Sequence, residues 1–219
     1  MKIPKRIFQI ALGDEYIQKI PRTMLKDTIL KKNPDYIYEL LTDIECISLI
    51  QTHYPEYMDL YNRLERPQYK SDLVRYLSLH KDGGFYVDID LLPLVGFDAF
   101  ASDFSSFFTI GAHHNGKLEM ANGFIGSVPG NSLFITLVNI MRDEPNPQDY
   151  GMNVKRMYHV LNHTIGVQEY TKVNDTYFLR EQYSSLGFYI INIAQNDTIC
   201  ISNCSGYPYS VTNVLKFLE

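Results

Sequence analysis

At 219 residues the chain has a length suited to one α/β domain. Hydrophobic residues make up 45% and charged residues 21%, which is globular usage and excludes a disordered chain. A formal charge of −5, with no basic run beyond Lys2, Lys5, Arg6 and Lys31-Lys32, excludes a nucleic-acid footprint.

In chain order, Ile7 to Leu12 predicts a buried strand ended by Gly13. Pro21 to Lys32 has a helical pattern that Asn33-Pro34 stops. Tyr36 to Leu41 predicts a strand, followed by helical stretches from Ile44 to His53 and from Glu56 to Arg63. This β-α-β-α order points to a parallel sheet with crossover helices. Ser71 to Lys81 is the clearest helix, with Ser71 as N-cap, Leu73, Val74 and Leu77 as apolar stripe, and Gly83-Gly84 as stop. Phe85 to Asp90 follows as a strand, then strands at Phe107–Gly111 and Gly123–Ser127. A turn at Pro129-Gly130, a helix from Ser132 to Arg142 and a loop through Pro145 and Pro147 come next. A helix at Val154–Asn162 and strands at Tyr189–Ile193 and Ile199–Ile201 complete the series.

With no repeat, linker or low-complexity stretch, residues 1–219 read as a single α/β domain with a mixed, mainly parallel central sheet flanked by helices. The amphipathic fragment Val214 to Glu219 resembles the first turns of a longer helix, so partner domains beyond it are expected. Three cysteines without framework spacing predict a reduced, cytoplasmic protein. Cys200 and Cys204 lack the second Cys/His pair that zinc needs. The opening MKIPKRIFQIALG imitates a signal peptide, but its apolar run is short and broken by Gln9. No apolar run approaches the ~20 residues of a membrane helix. The N-x-S/T sequons at Asn162, Asn174, Asn196 and Asn203 are then inert. Tyr is abundant (17) and Trp absent, which suits a polar-ligand cleft but is equally ordinary core packing.

The chemistry concentrates in Ser71-Asp72-Leu73-Val74-Arg75 and Gly83-Gly84-Phe85-Tyr86-Val87-Asp88-Ile89-Asp90. Strand alternation predicts Phe85, Val87 and Ile89 on one face and Tyr86, Asp88 and Asp90 on the other. Two carboxylates at a strand end suit a hard divalent cation that also binds substrate phosphates. Asp72 and Arg75, three apart on a helix, predict an acceptor and a donor fork on a face away from the apolar stripe. Each part alone is common: Asp-x-Asp is usually a solvated turn, and an Asp-Arg pair at this spacing a surface ion pair. Their conjunction is specific. His113-His114, before Asn115-Gly116, reads as an exposed loop, and no dinucleotide, P-loop or serine-hydrolase motif occurs.

The pattern S-D-x-x-R-y-x-x-L-x-x-x-G-G-x-Y-x-D-x-D resembles the glycosyltransferases with a DXD-containing sugar-binding region, including family 32 and, more distantly, the glucosylating clostridial toxins. Ile3 to Gly13 looks like that family's opening I-P-K-x-I-H-Q-I-W-x-G, and Asn122 to Gly126 resembles its strand after the DXD. The resemblance is strong over residues 1–95, fair to about residue 135 and thin beyond. It implies a GT-A fold, a hexosyltransferase that retains configuration, and Mn²⁺ or Mg²⁺ as cofactor. It also implies a nucleotide-sugar donor and a glycan or other hydroxyl acceptor.

By position, the resemblance assigns Asp90 to the metal, Asp88 to the donor with a share of the metal, and Ser71, Asp72 and Arg75 to the hexose. Tyr86 would line the donor pocket, Asn122 would lie near the sugar, and Ile10, Ala11 and Leu12 would wall the base. The family's His is Phe8 and its base-stacking Trp is Ala11, so base recognition shifts to candidates such as Tyr36, Tyr38 or Tyr69. Asn203-Cys204-Ser205-Gly206-Tyr207 resembles the toxins' N-x-S-x-W. That likeness makes Asn203 and Ser205 candidate metal ligands, Tyr207 a closing residue over the diphosphate, and UDP-glucose the favoured donor, with GDP-mannose open. Two alternatives stand beside this reading. An aspartyl-phosphate phosphatase places its D-x-D on the first strand, and a non-catalytic nucleotide-sugar-binding module has no need of both carboxylates.

Overall fold

The structure is a computed structural model that describes residues 2–13, 22–101, 104–112, 118–144, 150–167, 172–173, 175–184, 187–192 and 197–202. Strand β1 (Arg6–Ile10) is buried throughout and pairs in parallel with β2 (Ile37–Leu41) and β3 (Gly84–Val87). Between β1 and β2 runs α1 (Arg22–Leu30), which buries Leu25 and Ile29 one turn apart. Helix α2 (Asp43–His53) follows β2 and opens on a capping box between Thr42 and Glu45. A 3₁₀ turn at Pro55–Tyr57 leads into the short α3 (Met58–Arg63).

Helix α4 (Pro67–Asp82) begins four residues before the expected Ser71. Pro67 explains this, since its fixed φ and missing N–H suit the first helical position. Ser71 is therefore a mid-helix residue and not a cap. The helix ends where predicted, at Gly83 (φ 65°). A Cβ on Gly83 would lie 2.6 Å from the Ser127 carbonyl, and one on Gly84 2.5 Å from the Arg6 carbonyl. Only glycine lets the backbone pass this closely to Arg6 and Ser127.

Strand β4 (Leu91–Pro93) follows β3, and β5 (Ser106–Ala112) and β6 (Leu118–Ser127) complete the sheet's centre. The Asn131 side chain accepts from the Leu133 amide and caps α5 (Ser132–Asp143), and α6 (Tyr150–Thr164) comes next. Strands β7 (Lys172–Val173), β8 (Thr176–Ser184), β9 (Gly187–Asn192) and β10 (Asp197–Ser202) follow. Among the described residues the sheet order is β2-β1-β3-β6-β5-β8-β9-β10-β4, with β7 beside β8. The sheet is mixed: β1–β2, β1–β3 and β5–β8 pair in parallel and the other neighbours antiparallel. No described helix is long and apolar enough to cross a membrane.

The two faces of this sheet are chemically different. One packs Phe8, Ile10, Tyr86, Met120 and Ile125 against α2, α4, α5 and α6. The other gathers Phe85, Phe97, Phe100, Phe104, Phe107 and Phe124 into an aromatic cluster with Ile7, Val87 and Leu179. Phe85 and Val87 thus face away from Tyr86, as alternation requires.

Candidate active site

The sequence reading extended the third strand to Asp90, but β3 ends at Val87. The pairing of β1 with β3 stops at Phe8 and Tyr86. Beyond it, the Asp88 carbonyl accepts from the Leu91 amide (3.0 Å) and from Gln9 Nε2 (3.2 Å). Asp88-Ile89-Asp90 is therefore a turn at the C-terminal end of β3, and a turn, not strand alternation, presents its carboxylates. The location agrees with the general rule that α/β sheets bind ligands at their strands' carboxyl ends.

Asp72 and Arg75 also differ from expectation. They form a buried ion pair at 3.2 Å, with side-chain exposures of 0% and 7%, where a face away from the core was predicted. Helix α4 is buried continuously from Asp72 to Leu79, because β3, β6 and α5 cover the side that the apolar stripe leaves open. A charge pair at such depth needs further partners. Arg75 finds them: its guanidinium donates to the Asn122 carbonyl and to Ser71 Oγ (3.3 Å), lies over the Tyr86 ring (4.3 Å), and reaches to 3.8 Å from Asp88 Oδ1. Burial opposes the Arg75 charge, yet the face of the Tyr86 ring and the Asp72 and Asp88 carboxylates outweigh it and hold the guanidinium protonated. Burial first, and Asp88 second, push the Tyr86 hydroxyl well above its ordinary pKa despite Arg75. Tyr86 therefore keeps its proton and donates it to Asp88 Oδ1.

Strand β6 supplies the floor. Its register against β5 shifts between Phe107 and Thr109, so that Asn122 to Ile125 have no partner in the β5–β6 pairing. The Asn122 carbonyl accepts from Arg75, the Gly123 carbonyl from the Asp88 amide (2.8 Å), and the Phe124 carbonyl from Thr109 Oγ1 (2.8 Å). A Cβ on Gly123 would lie 2.9 Å from Asp88 Oδ2, so this glycine is what allows the carboxylate to lie against the strand. The Asn122 side chain donates to Asp72 Oδ1 (3.3 Å).

The structure thus joins Ser71, Asp72, Arg75, Tyr86, Asp88 and Asn122 in one connected polar network, with the partly exposed Asp90 two residues from Asp88. Ile10 ends β1, Ala11 and Leu12 follow it, and all three are buried, with the Ala11 amide held by the Leu41 carbonyl. Of the tyrosines considered for the base, Tyr36 packs on Phe85 in the aromatic cluster and donates to Asp98, on the other face of the sheet. Tyr38 donates to Gln9 Oε1 (2.8 Å), and Gln9 in turn holds the Asp88 carbonyl. Tyr69 is buried in α4. Asn203, Ser205 and Tyr207 lie outside the described residues, as do His113 and His114. Gln9, Thr109 and Gly123 were not singled out as site residues. A polar residue inside a buried strand and a glycine inside another were the available signals.

Among the described residues no group of three or more His, Cys, Asp or Glu side chains could enclose a metal by itself. The donor set is two carboxylates on the turn at the C-terminal end of β3, and Asp88 is held in place by Tyr86 and the cradle at Gly123. That partial oxygen shell fits a hard divalent cation completed by phosphate oxygens.

The fold is that of the GT-A glycosyltransferases. The solved PaToxG glycosyltransferase superposes with a TM-score of 0.52 at 19% identity, covering 75% of this chain and 70% of that one. The family model described as "Glycosyltransferase sugar-binding region containing DXD motif" matches residues 22–106. Among curated relatives, the mannosyl phosphorylinositol ceramide synthase SUR1 of Saccharomyces cerevisiae is 30% identical over 119 residues, or 52% of this chain and 28% of its own length. The synthase CSH1 of the same yeast is 28% identical over 148 residues, covering 64% and 35%. The uncharacterized glycosyltransferase L373 of Acanthamoeba polyphaga mimivirus is 28% identical over 177 residues, covering 80% and 68%. The chain thus spans about a third or less of the length of the two yeast relatives.

Proposed function

We propose that this protein is a hexosyltransferase that takes its sugar from a nucleoside-diphosphate donor, with a divalent cation, and passes it to a hydroxyl of a glycan or related acceptor. The observation that supports this best is the network beneath the Asp88–Asp90 turn, in which Tyr86, Arg75 and Gly123 hold one carboxylate of the pair. Asp90 and Asp88 are the residues we assign to a Mn²⁺ or Mg²⁺ ion; such an ion neutralises charge on a departing diphosphate. Arg75 and Asn122, which lie just behind the turn with little exposure, orient the hexose from below. Asp72, with no exposed surface, holds both of them and does not itself face the hexose. Prior fixing of these groups is what makes such a site effective, because no reorganisation is needed as charge develops.

Mannose is the sugar we assign, since the two yeast relatives are mannosyl phosphorylinositol ceramide synthases. The glucose expectation rested on residues 203–207, outside the described residues. The test is a panel of GDP-mannose, UDP-glucose and UDP-galactose with Mn²⁺ or Mg²⁺, following release of nucleoside diphosphate. Release from GDP-mannose above the others supports the full reading. Preference for UDP-glucose would replace the sugar and keep the reaction, and release from none of them would remove the proposal.

A further inference from the structure

Tyr76 follows Arg75 on α4 and takes no part in the site as drawn above. Its ring is almost wholly buried and stacks on Phe134 of α5 at 6.1 Å. Its hydroxyl points the other way, to 3.1 Å from Asn122 Oδ1 on β6 and 3.4 Å from Met157 Sδ on α6. A phenol has one proton, and an amide oxygen is a far better acceptor than a thioether. The proton therefore goes to Asn122, and the sulfur remains a packing neighbour.

We propose that Tyr76 is a positioning residue that fixes the Asn122 amide and, through it, the Asp72–Arg75 pair behind the turn. The consequence for turnover rests on the function proposed above. The side chain of Asn122 is pinned at both ends: its oxygen by Tyr76 and its nitrogen by Asp72 Oδ1 at 3.3 Å. Its main-chain carbonyl is meanwhile held by Arg75. Residue 122 is thus gripped by Asp72, Arg75 and Tyr76, all from one helical turn of α4, which sets the distance between helix and strand. Without the phenol hydroxyl, Oδ1 becomes a buried acceptor beside a guanidinium, and the least costly repair is for the amide to turn toward Arg75. That turn takes the amide nitrogen from Asp72 and competes with the Arg75 bond that anchors the strand.

The test is Tyr76→Phe in the full chain, which removes one oxygen and keeps the ring on Phe134. The first readout needs no substrate: the side-chain amide signals of Asn122 in ¹⁵N–¹H spectra, assigned by their loss in Asn122→Ser. In the wild type the pair is shifted and slow to exchange with solvent; in Tyr76→Phe we expect it to move and exchange at least tenfold faster. The second readout is nucleoside-diphosphate release, where we expect kcat to fall about tenfold with the KM for donor changed less than threefold. The same substitution in an Asn122→Ala background should then add no further loss. Unchanged Asn122 signals, or an unchanged kcat in a folded variant, would overturn the proposal and leave Tyr76 a packing residue. If the wild type releases nothing from any nucleotide sugar, the functional reading fails and the amide signals alone decide the role of Tyr76. Should Tyr76→Phe not fold, Met157→Leu and Asn122→Asp decide it. The proposal expects Met157→Leu to leave the Asn122 signals in place and Asn122→Asp to lose turnover; the reverse pattern would overturn it.

Discussion

Strands β3 and β6 each carry two chemistries, one on either face of the sheet. Phe85 and Phe124 enter an aromatic cluster in which Phe124 lies 4.8 Å from Phe107 and 5.1 Å from Phe97. One residue away, Tyr86 and Gly123 meet Arg75 and Asp88 on or beside the helical face. The aromatic face is non-directional: rings at several tilts fill space, and its gain scales with area removed from water. The polar cluster set into the helical face is directional: Arg75 donates to the Asn122 carbonyl and Ser71 Oγ, Tyr86 to Asp88 Oδ1, and the Asn122 amide to Asp72 Oδ1. This difference teaches that one face fixes where the strands are, while the other uses that fixed frame to aim a few groups. Substitutions should therefore separate, with stability lost on one side and turnover on the other.

The largest effect should come from Phe124→Ala. Truncating a fully buried ring costs about 3–5 kcal/mol, read from urea unfolding. The surviving folded fraction should turn over near the wild-type rate. A folded variant with turnover reduced more than tenfold would break the separation between the faces.

Next comes Arg75→Lys. A lysine keeps the charge but cannot serve Asn122, Ser71 and Asp72 with one planar fork. We expect about 2 kcal/mol lost from kcat/KM, with nucleoside-diphosphate affinity within threefold of wild type. Equal losses in both would mean that Arg75 serves the nucleotide and not the sugar.

A pair of glycines sharpens the contrast further. Gly123→Ala puts a methyl 2.9 Å from Asp88 Oδ2, and Gly126→Ala puts one into the Phe107 ring. Both should cost about 1–3 kcal/mol, as overpacking does. The first should appear in kcat and donor binding, and the second in the melting temperature alone.

The smallest effect concerns pH. His80 is bonded to Tyr54 through Nδ1, and burial lowers its pKa. The unfolded chain then binds the proton more readily, so this part of the stability is present above a pH of about 6.5 and is lost as pH falls through it. His80→Gln should flatten the slope of unfolding free energy against pH as pH falls below about 6.5. An unchanged slope would place the titrating group elsewhere.

Much of the site was readable because its signals are local. Gly83-Gly84 marks both a helix end and a tight backbone passage, and Phe85-Tyr86-Val87 alternates across the sheet as predicted. What could not be read is what distant chain imposes. Asp72 and Arg75 have the spacing of a surface pair, and only the arrival of β6 and α5, some fifty residues later, buries them. The turn at Asp88 is held by the Gly123 carbonyl and by Gln9, neither visible in the triplet itself. The start of α4 was misplaced for a simpler reason: Pro67 outranks Ser71 as a start signal. Strand β8 was missed because Arg180 and Glu181 interrupt its apolar run, while β5 and β9 hold it from either side.

The central claim is that the Asp88–Asp90 turn holds a divalent cation together with a diphosphate, aimed by the network beneath it. Isothermal titration of GDP into the wild type and Asp90→Asn, each with and without Mn²⁺, tests it most directly, because Asn removes the charge and keeps the shape. The account predicts that Mn²⁺ strengthens GDP binding to the wild type at least thirtyfold, or about 2 kcal/mol, and barely affects Asp90→Asn at an unchanged melting temperature. Equal metal enhancement in both proteins would contradict it.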